Sequence, residues 1–480
     1  IGTLFRGIGP GALVQGLVSA RLTDDLLPAA PSHSLGRADI FGYAVAGPMF
    51  YGFAKWVLET ARKKRLTDLY FLARDGEIVK RCAEEILREN RSSYSPAPRL
   101  HYLMASRRAV NVARIRSEDD IQALLEMNFT PCPIGALVKN RFGIDPEDIE
   151  REVYEAHGFD GPGNRADWRL GEARIRAFFG DSRVSEAILQ NAEEERRLLV
   201  RAYTDAGLGR DGALPGFVDI GHSGSLQAAI TRIMGLKSSF GLYFATKDDM
   251  DRTIGTRGDT AGSWDGTGHD GAGYVLDRMN IHDSGSLYQK YILMFELLFQ
   301  NTQGSFLRYR EQRGRLIPET LDLAGEERRV SFIREVHDAA VSFARDISAT
   351  ESALGFDARL TGLEAIEGYL AMLRDPKPGD ARLFVGVGFE NKYSARDMRW
   401  IVPPPELKDE EALWVEGGEV ARTLPDADCP GQAATARPVI SQLARPFVKD
   451  GRKRAKLSRE PRRFFEESRY AAVRAMARLV

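Results

Sequence analysis

Three short apolar runs each end abruptly at a polar turn, and each turn opens a stretch with helical spacing. The first run, Leu69-Tyr70-Phe71-Leu72-Ala73, breaks at Arg74-Asp75-Gly76. Ile78, Val79, Cys82 and Ile86 then recur at helical spacing up to Arg88. The second run, His101-Tyr102-Leu103-Met104-Ala105, stops at Ser106-Arg107-Arg108 and opens another helix. The third, Pro215-Gly216-Phe217-Val218-Asp219-Ile220, breaks at Gly221-His222-Ser223-Gly224-Ser225, and Leu226 to Met234 reads as a helix. Phe240 to Ala245 adds a further strand. Strands alternating with helices predict an α/β fold with a mostly parallel, Rossmann-like sheet and ligands at the carboxyl ends of its strands.

The rest of the chain is arranged around that sheet. Residues 1–45, rich in Gly, Pro, Ala and Ser, read as a linker or lead-in arm. Residues 46–110 and 211–310 form the sheet-bearing core, which starts with an amphipathic helix after Gly47-Pro48. Residues 111–210 hold helical patterns and no good strand, so they read as a helical cap inserted between strands. Residues 247–286 are dense in Gly, Asp and Thr and read as a long loop or flap. Residues 311–400 read as a helical C-terminal layer, with helices over 326–347 and 363–373. Residues 401–480 read as an irregular Pro-rich segment followed by a basic tail.

Charge and cysteine content exclude several function classes. With 67 basic against 68 acidic residues, the net charge of −1 gives no global attraction to nucleic acid or to an anionic membrane. Cys82, Cys132 and Cys429 form neither a disulfide framework nor a metal-ligand spacing, so they read as small buried fillers in a reducing cytoplasm. No run reaches the roughly 18 apolar residues that span a bilayer. The start at Ile1, with no initiator Met and no signal-peptide pattern, reads as a piece of a longer chain.

The chemistry concentrates at the strand ends. Asp75 lies beside a helix N-terminus, where it either caps the helix or holds a metal or moves a proton, with Gly76 beside it. Ser106, Arg107 and Arg108 offer a hydroxyl and guanidinium groups suited to phosphate, or else a helix cap with two solvated arginines. Asp219 is followed by Gly221, His222, Ser223, Gly224 and Ser225, a turn able to form an anion nest, with a histidine that titrates near neutrality or serves the core. Neither the dinucleotide nor the Walker fingerprint is present, and Gly-His-Ser-Gly-Ser falls one residue short of a nucleophile elbow. Two acids, Asp75 and Asp219, with phosphate-binding groups around them suit Mg²⁺-assisted phosphoryl transfer. In the tail, Arg452, Lys453, Arg454, Lys456, Arg459, Arg462 and Arg463 precede Phe464-Phe465. Residues 449–480 therefore read either as a membrane-surface or polyanion contact, or as a solvated linker whose Phe pair packs on the domain.

Taken in order, several segments resemble the HAD-like (haloacid dehalogenase superfamily) hydrolase proteins encoded with glycosyltransferases in bacterial capsule and O-antigen loci. They are Leu-Tyr-Phe-Leu-Ala-Arg-Asp-Gly, the strand ending Ser-Arg-Arg-Ala, Val-Asp-Ile-Gly-x-x-Gly-Ser-x-Gln, and Glu296-Leu297-Leu298-Phe299 with Gly304-Ser305. The resemblance covers about residues 40–310, and Leu457 to Ser468 resembles a segment of capsular glycosyltransferase proteins. It implies that Asp75 is the acid/base, Ser106 the hydroxyl of the second motif and Asp219 a metal-binding acid of the fourth. Arg197 or Arg201 would supply the cation of the third motif, and residues 110–205 would be the cap. Ala73 stands where the family has its nucleophilic Asp, which argues against an aspartyl-phosphate intermediate.

The reading that follows is a domain serving surface-polysaccharide synthesis, cytoplasmic or peripheral at the inner membrane. It would bind a phosphorylated sugar or nucleotide sugar with Mg²⁺, and hydrolyse or transfer its phosphate if active. The alternatives are a non-catalytic module that docks glycosyltransferase partners or membrane, and a glycosyltransferase in its own right.

Overall fold

The computed structural model describes residues 10–26, 38–126, 131–256, 266–280, 286–391, 396–407 and 409–423. The core begins with α1 (Gly47–Lys64), which has Pro48 in its first turn and Arg62, Lys63 and Lys64 in its last. A proline there gives up no helical hydrogen bond, and the cations complement the carbonyl end of the helix dipole. Then follow β1 (Asp68–Leu72), α2 (Gly76–Asn90), β2 (Arg99–Leu103) and α3 (Arg107–Arg114). After the insertion, which ends in α4 (Ser182–Asp205), come β3 (Pro215–His222), α5 (Ser225–Met234), β4 (Ser238–Lys247) and β5 (Gly268–Met279).

These strands form one sheet in the order β2-β1-β3-β4-β5, and every neighbouring pair is parallel. Parallel strands need coverage on both faces, and the period of two sorts their side chains between two cores. Leu69, Phe71, Val218, Ile220, Leu242 and Phe244 face the main core with α1 and α2. Tyr70, Leu72, Leu103 and Phe217 face the opposite core with α3, α4 and α5. Topology places β1 and β3 side by side in the middle of the sheet, so the turns after Leu72 and His222 open at the same edge.

Beyond the sheet come α6 (Ile292–Phe299), a hairpin of β6 (Phe306–Gln312) and β7 (Arg315–Thr320), then α7 (Glu327–Leu354) and α8 (Gly362–Arg374). α1 and α7 approach closely, since a Cβ on Gly47 would come 2.7 Å from the Cβ of Phe343.

Several expectations need correction. The stretch read as a linker over 1–45 contains a helix, Pro10–Leu26, whose Leu13, Val14, Leu17 and Val18 join the main core. Its small residues blur the apolar period. Part of the expected loop at 247–286 is the edge strand β5. An edge strand buries few side chains, here Val275 and Met279 among its apolar ones, so its Gly- and Asp-rich sequence shows little alternation. The C-terminal layer contains the β6–β7 hairpin and an antiparallel pair, Gly388–Asn391 with Arg396–Trp400, besides its helices. Trp414 is buried and Val415–Arg422 is helical within the segment read as irregular. The basic tail, 449–480, and Cys429 lie outside the described residues.

The insertion builds a core of its own, from Val112 through Phe142, Phe178 and Phe179 to Ala192. No described helix is long and apolar enough to cross a membrane.

Phe53 tests the main core. Its ring lies 5.3 Å from Phe244, 5.8 Å from Tyr274, 5.9 Å from Trp56 and 6.1 Å from Phe299, centroid to centroid. Phe53→Ala should cost about 3–5 kcal/mol by chemical denaturation, the range for a large buried aromatic. A loss under ~1 kcal/mol would contradict this packing.

Candidate functional site

The carboxyl ends of β1, β2, β3 and β4 open into a cavity of about 550 Å³. Ala73, Arg74, Asp75, Ser106, Arg107, Arg108, Asp219, Gly221, His222, Ser223, Ser225 and Lys247 reach it from the strand ends and the turns after them. The insertion contributes Lys139 and Asn140, the β6–β7 hairpin contributes Arg308 and Glu319, and α6 contributes Glu296 and Gln300. Residues distant in sequence thus share one polar cleft, because parallel strands place their carboxyl ends on the same side.

Asp75 occupies the N-cap position of α2, but its side chain makes no capping hydrogen bond. Capping therefore does not account for this acid, and its carboxyl belongs to the cavity. Burial raises its pKa, while Arg74 and Arg107 pull the other way. Asp219 is only 7% exposed. Burial first, and then the charge of Asp75, hold its carboxyl well above the usual range, although it accepts a hydrogen bond from its neighbour Ile220 N–H at 2.9 Å. The two acids therefore feel each other across the cavity.

The basic residues divide differently from the expectation. Ser106 does cap α3, accepting from Ala109 N at 3.0 Å, and its hydroxyl donates to Phe306 O at 2.6 Å. Arg108 lies on the buried side of α3 and is paired with Glu195 of α4, with N–O distances of 2.5 and 2.8 Å. It also donates to the Leu307 carbonyl of the hairpin. Ser106 and Arg108 thus border the cavity while serving the fold, whereas Arg107, one position along the helix, is exposed there. Neither Arg197 nor Arg201 lines the cavity; both point to the surface and pair with Glu311.

The glycines serve the packing of the chain, and the histidine is neutral. A Cβ on Gly221, whose φ is +120°, would run into the Ala245 carbonyl oxygen of β4. Gly224, with φ +69°, would meet Ile254 Cγ2 at 2.6 Å, and Gly76 would meet the Phe71 backbone at 2.7 Å. All three are held by chain-to-chain packing, and Gly76 and Gly224 are not among the residues that line the cavity. His222 Nε2 lies 3.0 Å from the Tyr288 hydroxyl. Burial, then Lys247 and Arg107, lower its pKa to about 4, so it is neutral at pH 7 and offers no cation to an anionic ligand.

Sequence reasoning passed over two residues in this site. Lys247 is the last residue of β4, and the strand-end rule applied to the other strands would have found it. Glu296 was noted only within the family resemblance, yet it is the one charged residue of Ile292–Phe299, an otherwise apolar helix. Burial and the charge of Asp75 raise its pKa to about 7.

Among the described residues no group of three or more His, Cys, Asp or Glu side chains is arranged to hold a metal ion. Asp75 and Asp219 offer a pair of carboxylates instead. Oxygen donors of this number suit a hard cation that completes its shell with water and phosphate oxygens, and a cation would relieve their mutual repulsion.

That repulsion yields a prediction. A carboxyl whose pKa is raised by folding leaves stability intact at low pH and reduces it as pH rises above the unfolded value near 4. Asp219→Asn should therefore raise the thermal midpoint above wild type, with a gap that widens from pH 5 to pH 8. A variant less stable than wild type at pH 8 would contradict this. No family model and no curated protein matches this chain.

Proposed function

We propose that this chain is a HAD-like domain that binds a phosphorylated sugar or nucleotide sugar at the strand-end cavity, in the service of bacterial surface-polysaccharide synthesis. The observation that carries the reading is the meeting of Asp75 and Asp219 in one cavity with Arg107 and Lys247. Two helices begin at its wall, α2 and α5, and neither has a side-chain cap. The first residues of α5, Ser225 and Leu226, line the cavity, so their backbone N–H groups face an anion there, whereas at the start of α2 the Glu77 N–H donates to the Arg74 carbonyl at 3.4 Å; the helix dipole favours negative charge at both ends. Arg107 would give charged hydrogen bonds to phosphate oxygens, and Lys247 a point charge.

Asp75 and Asp219 would hold Mg²⁺, which when bound would neutralise charge on the phosphate. Ala73 cannot form an aspartyl-phosphate intermediate, and the transfer we propose in this cavity goes directly to water or to an acceptor. Lys139 and Asn140 of the insertion would lie against the part of the ligand beyond the phosphate.

The test is calorimetric titration with UDP-glucose and glucose 1-phosphate in the presence of Mg²⁺. Wild type should bind at least one of them. Asp75→Asn, Asp219→Asn and Arg107→Ala should each weaken binding by about tenfold or more, which is ~1.4 kcal/mol. Absence of binding by wild type, or equal binding by all variants, would overturn the proposal.

A further inference from the structure

Glu296 has no evident structural reason to be where it is. The helix that carries it reads Ile-Leu-Met-Phe-Glu-Leu-Leu-Phe and buries Met294, Phe295, Leu297, Leu298 and Phe299 in the main core. Its carboxyl, half-buried, faces the cavity and makes no ion pair or side-chain hydrogen bond among the described residues. Leaving a carboxyl partly desolvated and unpaired has a cost, and a neutral or apolar residue at the same place would avoid it. An acid kept under those conditions in a cleft marks a functional group.

Its surroundings narrow the role. Arg74 and Asp75 approach from the end of β1, Arg107 from α3, Asp219 and His222 from β3, Lys247 from β4, and Tyr288 from the short helix before α6. His222 is neutral, the Tyr288 hydroxyl is pushed up by burial, and Asp75 and Asp219 are the acids proposed to hold the cation. Of the other carboxyls that line the cavity, Asp145 accepts from Glu147 N–H, Glu319 pairs with Arg308 and Arg310, and Glu326 pairs with Arg329, which leaves Glu296 to handle a proton. Ala73, the position that lacks a carboxylate, lines the same cavity.

We propose that Glu296 is the general base of this cavity, activating a water molecule to attack the bound phosphate. The step rests on the proposed phosphate-ester reading. The water oxygen forms a bond to phosphorus while its proton passes to the Glu296 carboxylate. The bond between phosphorus and the leaving oxygen breaks, that oxygen keeps the electron pair, and it takes a proton from solvent. Glu296 then returns its proton to solvent, so no oxidant, reductant or further reactant is needed. A carboxylate that lines the cavity without an ion pair of its own among the described residues is free to take that proton.

The experiment pairs turnover with binding on the full chain. Hydrolysis of p-nitrophenyl phosphate and of UDP-glucose is measured from pH 5.5 to 9 with Mg²⁺, and inorganic phosphate binding is measured by calorimetry. Wild-type turnover should rise with pH as Glu296 ionises. Glu296→Gln should lose about 100-fold or more in kcat and lose that acid limb, while phosphate affinity stays within threefold. Glu296→Asp should recover part of the rate. Full turnover by Glu296→Gln, or an acid limb that persists in it, overturns the assignment, as does loss of phosphate binding in step with turnover. Wild type that binds phosphate but hydrolyses neither probe also overturns the role of Glu296 and leaves the anion site standing. Wild type that binds no phosphate overturns the site itself.

Discussion

Acidic side chains drawn together in a poorly solvated cleft are the constraint around which this molecule is arranged. Asp75, Asp219 and Glu296 all have raised pKa values, and in each case burial is the first cause and a neighbouring acid or cation modifies it. Such a grouping opposes folding. It persists because the parallel sheet fixes where β1 and β3 end, and the sheet is held by two hydrophobic cores that do not depend on the cleft. Arg74 and Arg107 lower the cost at Asp75, and Arg107, Lys247 and Arg74 lower it at Glu296, by their field.

The walls are held by separate means. Arg108 joins α3 to α4 through Glu195 and to the hairpin through the Leu307 carbonyl, so one guanidinium ties three elements beside the cleft. Behind the opposite wall, Arg329 is fully buried, pairs with Glu326 and donates to Asn301 O at 3.0 Å. Truncating one partner of such a buried pair leaves the other charge stranded, so these contacts keep the cavity's shape even where they contribute little net stability. The glycines at the strand ends act in the same way: Gly221 lets β3 and β4 meet at the point where the chain turns into the cleft.

The strands of the middle of the sheet were legible in the sequence because they are buried on both faces, which leaves runs such as Leu69 to Leu72 with no polar interruption. β5 was not, since an edge strand shows only a weak apolar pattern. The helix at Pro10–Leu26 was obscured by Gly, Ala and Ser, whose small side chains carry little periodic signal. Asp75 and Asp219 were legible as acids at strand ends. For Ser106 the sequence left capping and phosphate binding both open, and for Arg108 a one-dimensional pattern does not say which side of α3 meets Glu195 and which meets the cleft. For His222 the sequence left a titrating and a structural role both open, because its burial and its two cationic neighbours come from elements far away in the chain. Glu296 stood out only as a lone charge in an apolar helix, and nothing local says that the helix passes the ends of β1 and β3.

The central claim is that the turns after β1 and β3 enclose one anion site, and the most direct measurement is a crystal structure of the chain soaked with tungstate, located by its anomalous scattering. The account predicts a tungstate ion in the cavity, within hydrogen-bonding distance of the first N–H groups of α5 and of the Arg107 guanidinium. An ion bound only elsewhere, or a cavity that excludes tungstate while Asp75 and Asp219 bond to protein groups instead, would contradict it.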